Sequence, residues 1–380
     1  MVLSSILSPG VGRLKSILGR APQQLQTFRP ISEESVGRYC DGGYHPLGFG
    51  VYSTVWLACN TQTKGHVALK FELDILGYIK SQTPSPHLGS GHILGLLDKF
   101  VHHGPHHLCL VFKAMGPDMS KYRRLFPKQR IPVSLMKQIS RQLLLALSYL
   151  HDSCHVIHTD IKPQNMLVET PAINTMFEQA PSEVFLPEDT PQGPPGDFYM
   201  ESSQISSAEE DLTRPTDLSV RLADFGTSSW FDRHLTEWIQ PQMLRAPEVI
   251  LGADWDYKVD IWNLGLVLWE LTEGQLLFDG SWTPAAPYGG EAHLAQMTAI
   301  LGEMPPSLLA RSMRRDQYFG SKGNLLKSSF PPCTLEQFSK MSNLSEAERK
   351  AYLDFIKSMI NLDPEQRPNA SELLASPWLR

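Results

Sequence analysis

The sequence predicts an α+β fold, with strands gathered in the first third of the chain and long helices filling the rest. Two observations carry this. Residues up to Met115 hold three runs rich in β-branched and aromatic residues, GVYSTVWLAC (Gly50–Cys59), HVALKFEL and HLCLVFKAM. Beyond them the apolar residues change to helical spacing, as at Leu135, Ile139, Leu143, Ala146, Leu147 and Leu150.

In chain order, the first two runs flank the turn-like NTQTKG and read as a hairpin. HLCLVFKAM reads as a further buried strand. VSLMKQISRQLLLALSYLHDS (Val133–Ser153) predicts a long amphipathic helix. Residues 169–217 then carry eleven acids against one base, Arg214, with PEDTPQGPPGD at their centre. Without a periodic apolar surface to offset the entropy of ordering, they read as a disordered spacer. VDIWNLGLVLWELTEG (Val259–Gly274) is mostly apolar and reads as a buried helix. LSEAERKAYLDFIKSMI and NASELLASPWL close the chain as helices, each opened by a capping Ser or Asn with an acid soon after. No internal repeat is visible.

With 380 residues, 42% hydrophobic and 19% charged, the chain can bury a substantial core. The five cysteines, Cys40, Cys59, Cys109, Cys154 and Cys333, show no CxxC spacing, so they read as reduced thiols and not as a disulfide framework or a zinc site. A net charge of -6 argues against nonspecific nucleic-acid binding and suits a basic partner. No apolar run is long enough to span a bilayer. The first thirty residues contain Arg13, Lys15, Arg20 and Arg29 and no acid, the composition of a mitochondrial presequence. Pro9, Gly10 and Gly12 interrupt any helix there, which favours a basic, disordered tail over residues 1–38.

Chemistry is concentrated in five ordered stretches. LGFGVYSTV (Leu47–Val55) places Gly48 and Gly50 where a tight turn can bring backbone N–H groups close to phosphates; Ser53 stands where a third glycine is usual. VALK sets Lys70 in a strand, which taken alone would be an edge charge. VIHTDIKPQNML follows the long helix: Asp160 can accept a hydroxyl proton, Lys162 can neutralise a migrating phosphoryl group, and Asn165 offers an amide oxygen to magnesium. LADFGTS supplies the Asp224 carboxylate for the same ions, and RAPEVI (Arg245–Ile250) follows about twenty residues later, the length of an activation segment.

The order of Gly-rich turn, strand lysine, HxDxKxxN, DFG and APE resembles the eukaryotic protein kinases over nearly the whole chain after Tyr39. HTDIKPQN, FGVYSTVWLA, LCLVF, LRAPEVILGADWDYKVDIWNLG and LDPEQRPNASELLASPWL narrow the resemblance to the SR-protein kinase group, in its fungal branch. It implies a bilobal protein-kinase-like fold, with a small antiparallel β lobe over 39–115 and a larger helical lobe over 116–380 that contains the 169–217 spacer. It further implies ATP and Mg2+ as cofactors, Arg-Ser-rich protein substrates, no direct nucleic-acid or membrane partner, a monomer, and a cytoplasmic and nuclear location. By position, Leu47, Gly48, Phe49, Gly50, Val55, Lys70 and Glu72 would serve the nucleotide, with Lys113 and Met115 as hinge contacts and Phe112 as gatekeeper. Asp160 and Lys162 would be catalytic, and Asn165 and Asp224 metal ligands. Glu248 would pair with Arg367, and Asp260 would bind the catalytic-loop backbone. Thr159 stands where most of these kinases carry an arginine that grips an activation-segment phosphate, so this resemblance implies activity without phosphorylation.

The small lobe departs from the family pattern in two places. Lys70 and Glu72 are only two residues apart, although the glutamate should come from the middle of the following helix. If 67–75 is a strand, Lys70 and Glu72 share one face about 7 Å apart; if a helix starts near Phe71, Glu72 lies in its first turn. Upstream, YCDGGYHP lacks the alternation of the strand expected before the Gly-rich turn. Two functions therefore stand against each other: a serine/threonine kinase, and a catalytically impaired kinase-fold protein that docks basic partners.

Overall fold

The computed structural model describes residues 45–49, 54–59, 66–70, 75–82, 85–102, 107–170, 218–327, 329–341 and 344–380, with backbone alone at 45–49, 54–59, 66–70, 101–102 and 107–109. The basic tail and the spacer beyond Thr170 lie outside these residues. The chain divides into two compact units. The first takes its described residues from Met1–Lys80, Leu94–Asp118 and Glu169–Leu212; the second takes them from Ser81–Ile93, Met119–Val168 and Thr213–Arg380.

The first unit is an antiparallel sheet of β1 (His45–Phe49), β2 (Thr54–Cys59), β3 (His66–Lys70), β4 (Leu96–His102) and β5 (His107–Lys113), in the order β1-β2-β3-β5-β4. One expectation is corrected here, and of two alternative readings one is excluded. HPLGF forms β1 despite its proline and glycine, because pairing with the β-branched and aromatic β2 (Pro46↔Trp56, Gly48↔Val55) overrides weak local propensity. The run from Val67 to Ile75 is not one strand: β3 ends at Lys70, and helix α1 (Ile75–Ser81) begins within the expected run. Ile75, Leu76 and Ile79 are buried together at helical spacing, and that face prevails over the alternation that continues β3.

In the second unit, α2 (Val133–Ser148) buries Leu135, Ile139, Leu143 and Leu147 along one stripe. Gly89 lies against it so closely that a Cβ there would sit 1.8 Å from the Leu145 carbonyl oxygen, which requires glycine. The short strands β6 (Val156–Ile157), β7 (Met166–Glu169), β8 (Ser219–Leu222) and β9 (Ser229–Trp230) follow, pairing β6 with β9 and β7 with β8. Helices α3 (Pro247–Leu251), α4 (Lys258–Glu273), α5 (Gly290–Leu301), α6 (Glu346–Met359) and α7 (Ala370–Leu373) complete it. The central α4 is buried from Val259 to Trp269 on every side, as its mostly apolar sequence favours, with Asp260 and Asn263 buried among the apolar residues. It meets α6 at Gly265, where a Cβ would come within 2.9 Å of Ile360 and Met359. Ser345 and Asn369 form the expected capping boxes with Glu348 and Glu372.

Inside this unit Glu248 and Arg367 form a bidentate pair, Nη1 to Oε1 at 2.6 Å and Nη2 to Oε2 at 2.8 Å, with both side chains fully buried. Two further guanidinium donors reach Asn361 O (2.7 Å) and Lys258 O (3.1 Å), and the guanidinium lies over the Trp262 ring at 4.9 Å. Four hydrogen bonds and a facing ring offset the burial of this cation, and the pair joins α3, α4 and the segment before α7.

Removing one partner leaves the other charged and dry. Arg367→Met is expected to destabilise the second unit by about 3–5 kcal/mol in urea unfolding, while Glu248→Gln with Arg367→Met recovers much of that loss. A double variant no better than the single one would contradict this account. A second expectation concerns His293, fully buried on α5, whose Nδ1 shares a hydrogen bond with the Tyr288 hydroxyl at 3.2 Å. Burial first, and the Arg245 charge second, hold its pKa down to about 3 against an opposing influence of Asp279. The unfolded chain takes up a proton near pH 6.5 that the folded chain refuses, so stability present above that pH is lost as pH falls toward 3. Unfolding midpoints measured from pH 7 to pH 4 should fall less steeply in His293→Leu than in the wild type.

Candidate active site

The loop bearing Asp160 is shaped from behind by a buried carboxylate. After α2 the chain widens into a π-turn, Tyr149–Ser153, and passes through β6. Asp260, fully buried near the start of α4, accepts hydrogen bonds from the backbone N–H groups of His158 (Oδ2, 2.7 Å) and Thr159 (Oδ1, 2.9 Å), and from His151 Nε2 (2.9 Å). Three donors compensate its desolvation. They also hold the bend at Thr159, whose φ of 66° is a left-handed conformation that a β-branched residue adopts only under constraint.

Asp160, Lys162 and Asn165 are brought together. Lys162 Nζ donates to Asp160 Oδ2 at 2.6 Å, and Asn165 Nδ2 donates to the same oxygen at 3.0 Å and to the Asp160 carbonyl at 2.8 Å. With its amide nitrogen so engaged, Asn165 turns its Oδ1 away, and that atom is buried without a hydrogen-bond partner. The fourth predicted residue arrives through the backbone. Ala223 donates its N–H to Asn165 O at 2.8 Å and accepts from His158 Nε2 at 3.1 Å, so the strand β8 delivers the next residue, Asp224, beside this loop. Asp224 has a φ of 69°, and Phe225 is buried with its ring 5.0 Å from His158. An amide oxygen with nothing to accept from, beside carboxylates, is an all-oxygen donor set of the kind that suits a hard cation.

The segment after Phe225 is fixed by hydroxyl, amide and guanidinium donors bonded to backbone carbonyls. Thr159 Oγ1 donates to the Thr227 carbonyl at 2.7 Å, and Ser228 Oγ donates to the His158 carbonyl at 3.2 Å. β9 pairs with β6, Val156 against Trp230 and Ile157 against Ser229. Farther on, Arg245 Nε donates to Ile239 O (3.0 Å) and its Nη2 to Gln240 O (2.9 Å), while Gln240 Nε2 reaches Val259 O (2.9 Å). Burial lowers the Arg245 pKa from its ordinary value. Sequence reasoning missed His151, Ser228 and Gln240 and gave His158, the first residue of HxDxKxxN, no role, since no period marks a side chain whose task is to satisfy a distant backbone group.

The predicted nucleotide residues belong to the first unit. Leu47, Gly48 and Phe49 lie on β1 and Val55 on β2 opposite Gly48, so only residues 50–53 connect these strands; Gly50 is among them, outside the described residues. Lys70 ends β3 opposite Leu110. Phe112 and Met115 are buried, and Lys113 makes an ion pair with Glu169 of the same unit. Glu72 lies outside the described residues, between β3 and α1. The described helix α1, ILGYIKS, contains no acid.

Residues 43–379 match the family profile described as the protein kinase domain. Serine/threonine-protein kinase SRPK of Physarum polycephalum is 31% identical over 91% of this chain and 91% of its own length. A serine/threonine protein kinase of Aspergillus fumigatus is 33% identical over 93% of this chain and 87% of its own. Protein kinase dsk1 of Schizosaccharomyces pombe is 27% identical over 92% and 85%, respectively. With its DFG and catalytic-loop backbones joined at Ala223 and a family match running through both units, this chain belongs to the protein kinases, in the group of SRPK-type serine/threonine kinases.

Proposed function

We propose that the chain transfers the γ-phosphoryl group of ATP to serine hydroxyls in Arg-Ser-rich proteins. The observation that carries this is the Asp160–Lys162–Asn165 arrangement, in which one carboxylate is oriented by two donors beside a buried amide oxygen left open. Asp160 accepts the hydroxyl proton of the incoming serine. Lys162 holds that carboxylate in place and offsets charge on the transferring group. Asn165 Oδ1 and Asp224 would hold magnesium, since both are hard oxygen donors. What the ion supplies when bound is neutralisation of phosphate charge. Lys70, at the end of β3, would take the α- and β-phosphates.

Activity without activation-segment phosphorylation is part of this reading, because Thr159 bonds the segment through a hydroxyl where an arginine would need a phosphate. One observation favours a second reading. Among the described residues, helix α1 (Ile75–Ser81) contains no acid that could pair with Lys70, which suits a weakened enzyme or a kinase-fold protein that binds basic partners without turnover.

The unphosphorylated chain with magnesium ATP and an Arg-Ser repeat peptide should incorporate phosphate, and Asp160→Ala should reduce the rate by at least about a hundredfold, the scale of general-base catalysis. Peptide binding with no incorporation in either protein would establish the second reading. Thr159→Val, which keeps shape and removes the donor, should cost about 1 kcal/mol in holding Thr227. Limited proteolysis should then cut faster between 227 and 238, with peptide affinity unchanged.

A further inference from the structure

Between the segment that follows Asp224 and the start of α4 runs a column of rings that no step of the proposed transfer uses. Phe231 stacks on Tyr257, with ring centroids 4.5 Å apart and planes 11° from parallel. Tyr257 in turn lies 4.7 Å from the His151 ring, and His151 Nε2 donates to Asp260 at 2.9 Å. Phe231 also donates its backbone N–H to His155 O at 3.1 Å, and the His155 ring shares a 3.4 Å hydrogen bond with the Tyr257 hydroxyl. Phe231, His155 and Tyr257 therefore close a circuit in which each residue touches the other two. Burial, with Asp152, Asp256 and Asp232 nearby, pushes the Tyr257 phenol up to about 12, so the hydroxyl keeps its proton near neutral pH. Phe231 is 47% exposed, so the stacked face, and not enclosure in a core, is what holds it. A second stack repeats the arrangement, His234 lying 3.7 Å from the buried Trp255.

We propose that Tyr257 is a positioning residue for phosphoryl transfer: its ring couples the segment after Asp224 to the carboxylate that shapes the catalytic loop, so that segment and loop take their working positions together. The role rests on the kinase reading above. Tyr257 acts through Phe231 on the segment and through His151 on Asp260, whose other donors are the loop amides of His158 and Thr159. Its carbonyl accepts the Asp260 N–H at 3.1 Å, so the ring and the carboxylate sit on one rigid turn at the head of α4. Stacking needs no added charge, and an aromatic pair contributes a factor of about two to ten in an equilibrium.

The test compares Tyr257→Leu, Tyr257→Phe, Phe231→Leu and the double leucine variant, each in the full chain. With magnesium ATP and the Arg-Ser repeat peptide, Tyr257→Leu should lower kcat/KM for peptide about twofold to tenfold and leave the KM for ATP unchanged. Tyr257→Phe keeps the ring and should restore the wild-type value. The double variant should be no slower than the worse single one, because both changes remove the same stack. Amide hydrogen exchange across 227–238 should quicken in both leucine variants and not in Tyr257→Phe. Phe231→Leu leaves His151 and Asp260 untouched, yet it should also quicken exchange at His158 and Thr159. Exchange needs no turnover, so it decides the coupling even in a chain that transfers no phosphate, an outcome that would sink the kinase reading alone. Melting curves reveal any variant that fails to fold, and the exposed Phe231 carries the test if Tyr257→Leu is one of them. Wild-type kcat/KM in Tyr257→Leu, equal impairment of the Phe and Leu variants, or unchanged exchange at His158 and Thr159 in Phe231→Leu would overturn the proposal.

Discussion

Asp260 is the constraint on which the second unit's chemistry rests. A carboxylate buried this deeply is tolerated only if donors surround it, and here the donors are the backbone of the loop that carries Asp160. The central helix therefore acts on the site without touching it. Its apolar sides fix it between α2 and α6, and the buried Asp260 near its first turn converts that rigidity into the path of the catalytic loop. Left-handed Thr159 is the strain this requires, held by two hydrogen bonds from its own side chain and backbone.

The same economy orders the segment after Asp224. Thr159, Ser228, Gln240 and Arg245 satisfy backbone carbonyls over this stretch, and β9 adds a ladder to β6. None of these contacts depends on an added charge. Their net worth is about 0.5–1.5 kcal/mol each for neutral pairs, so the segment is held by several modest bonds acting together.

Much of the helical unit was legible in the sequence because its signals are local and redundant. The stripe Leu135 to Leu147, the apolar α4 and the capping boxes at Ser345 and Asn369 each imply one structure. The site was legible through motif order, which places Asp160, Lys162, Asn165 and Asp224. The sheet was harder to read. HPLGF has no strand pattern of its own and gains one only from its partner, and a short apolar run such as Val67 to Ile75 fits either period until burial decides. Asn165's open Oδ1 is a property of three dimensions, set by where its nitrogen is already committed.

The π-turn at Tyr149–Ser153 has a consequence for how this chain can vary. It lets α2 end in a wider turn, and it is there that His151 meets Asp260 while Tyr149 and Leu150 remain in the core. Dropping a residue from that turn would rotate all that follows by about 100°, the angular step of a helix. The histidine would swing out of reach, and an aspartate deprived of a donor would stay behind in the dark. Length here is as firmly specified as identity, so drift in this stretch must proceed by exchange of side chains and not by indels.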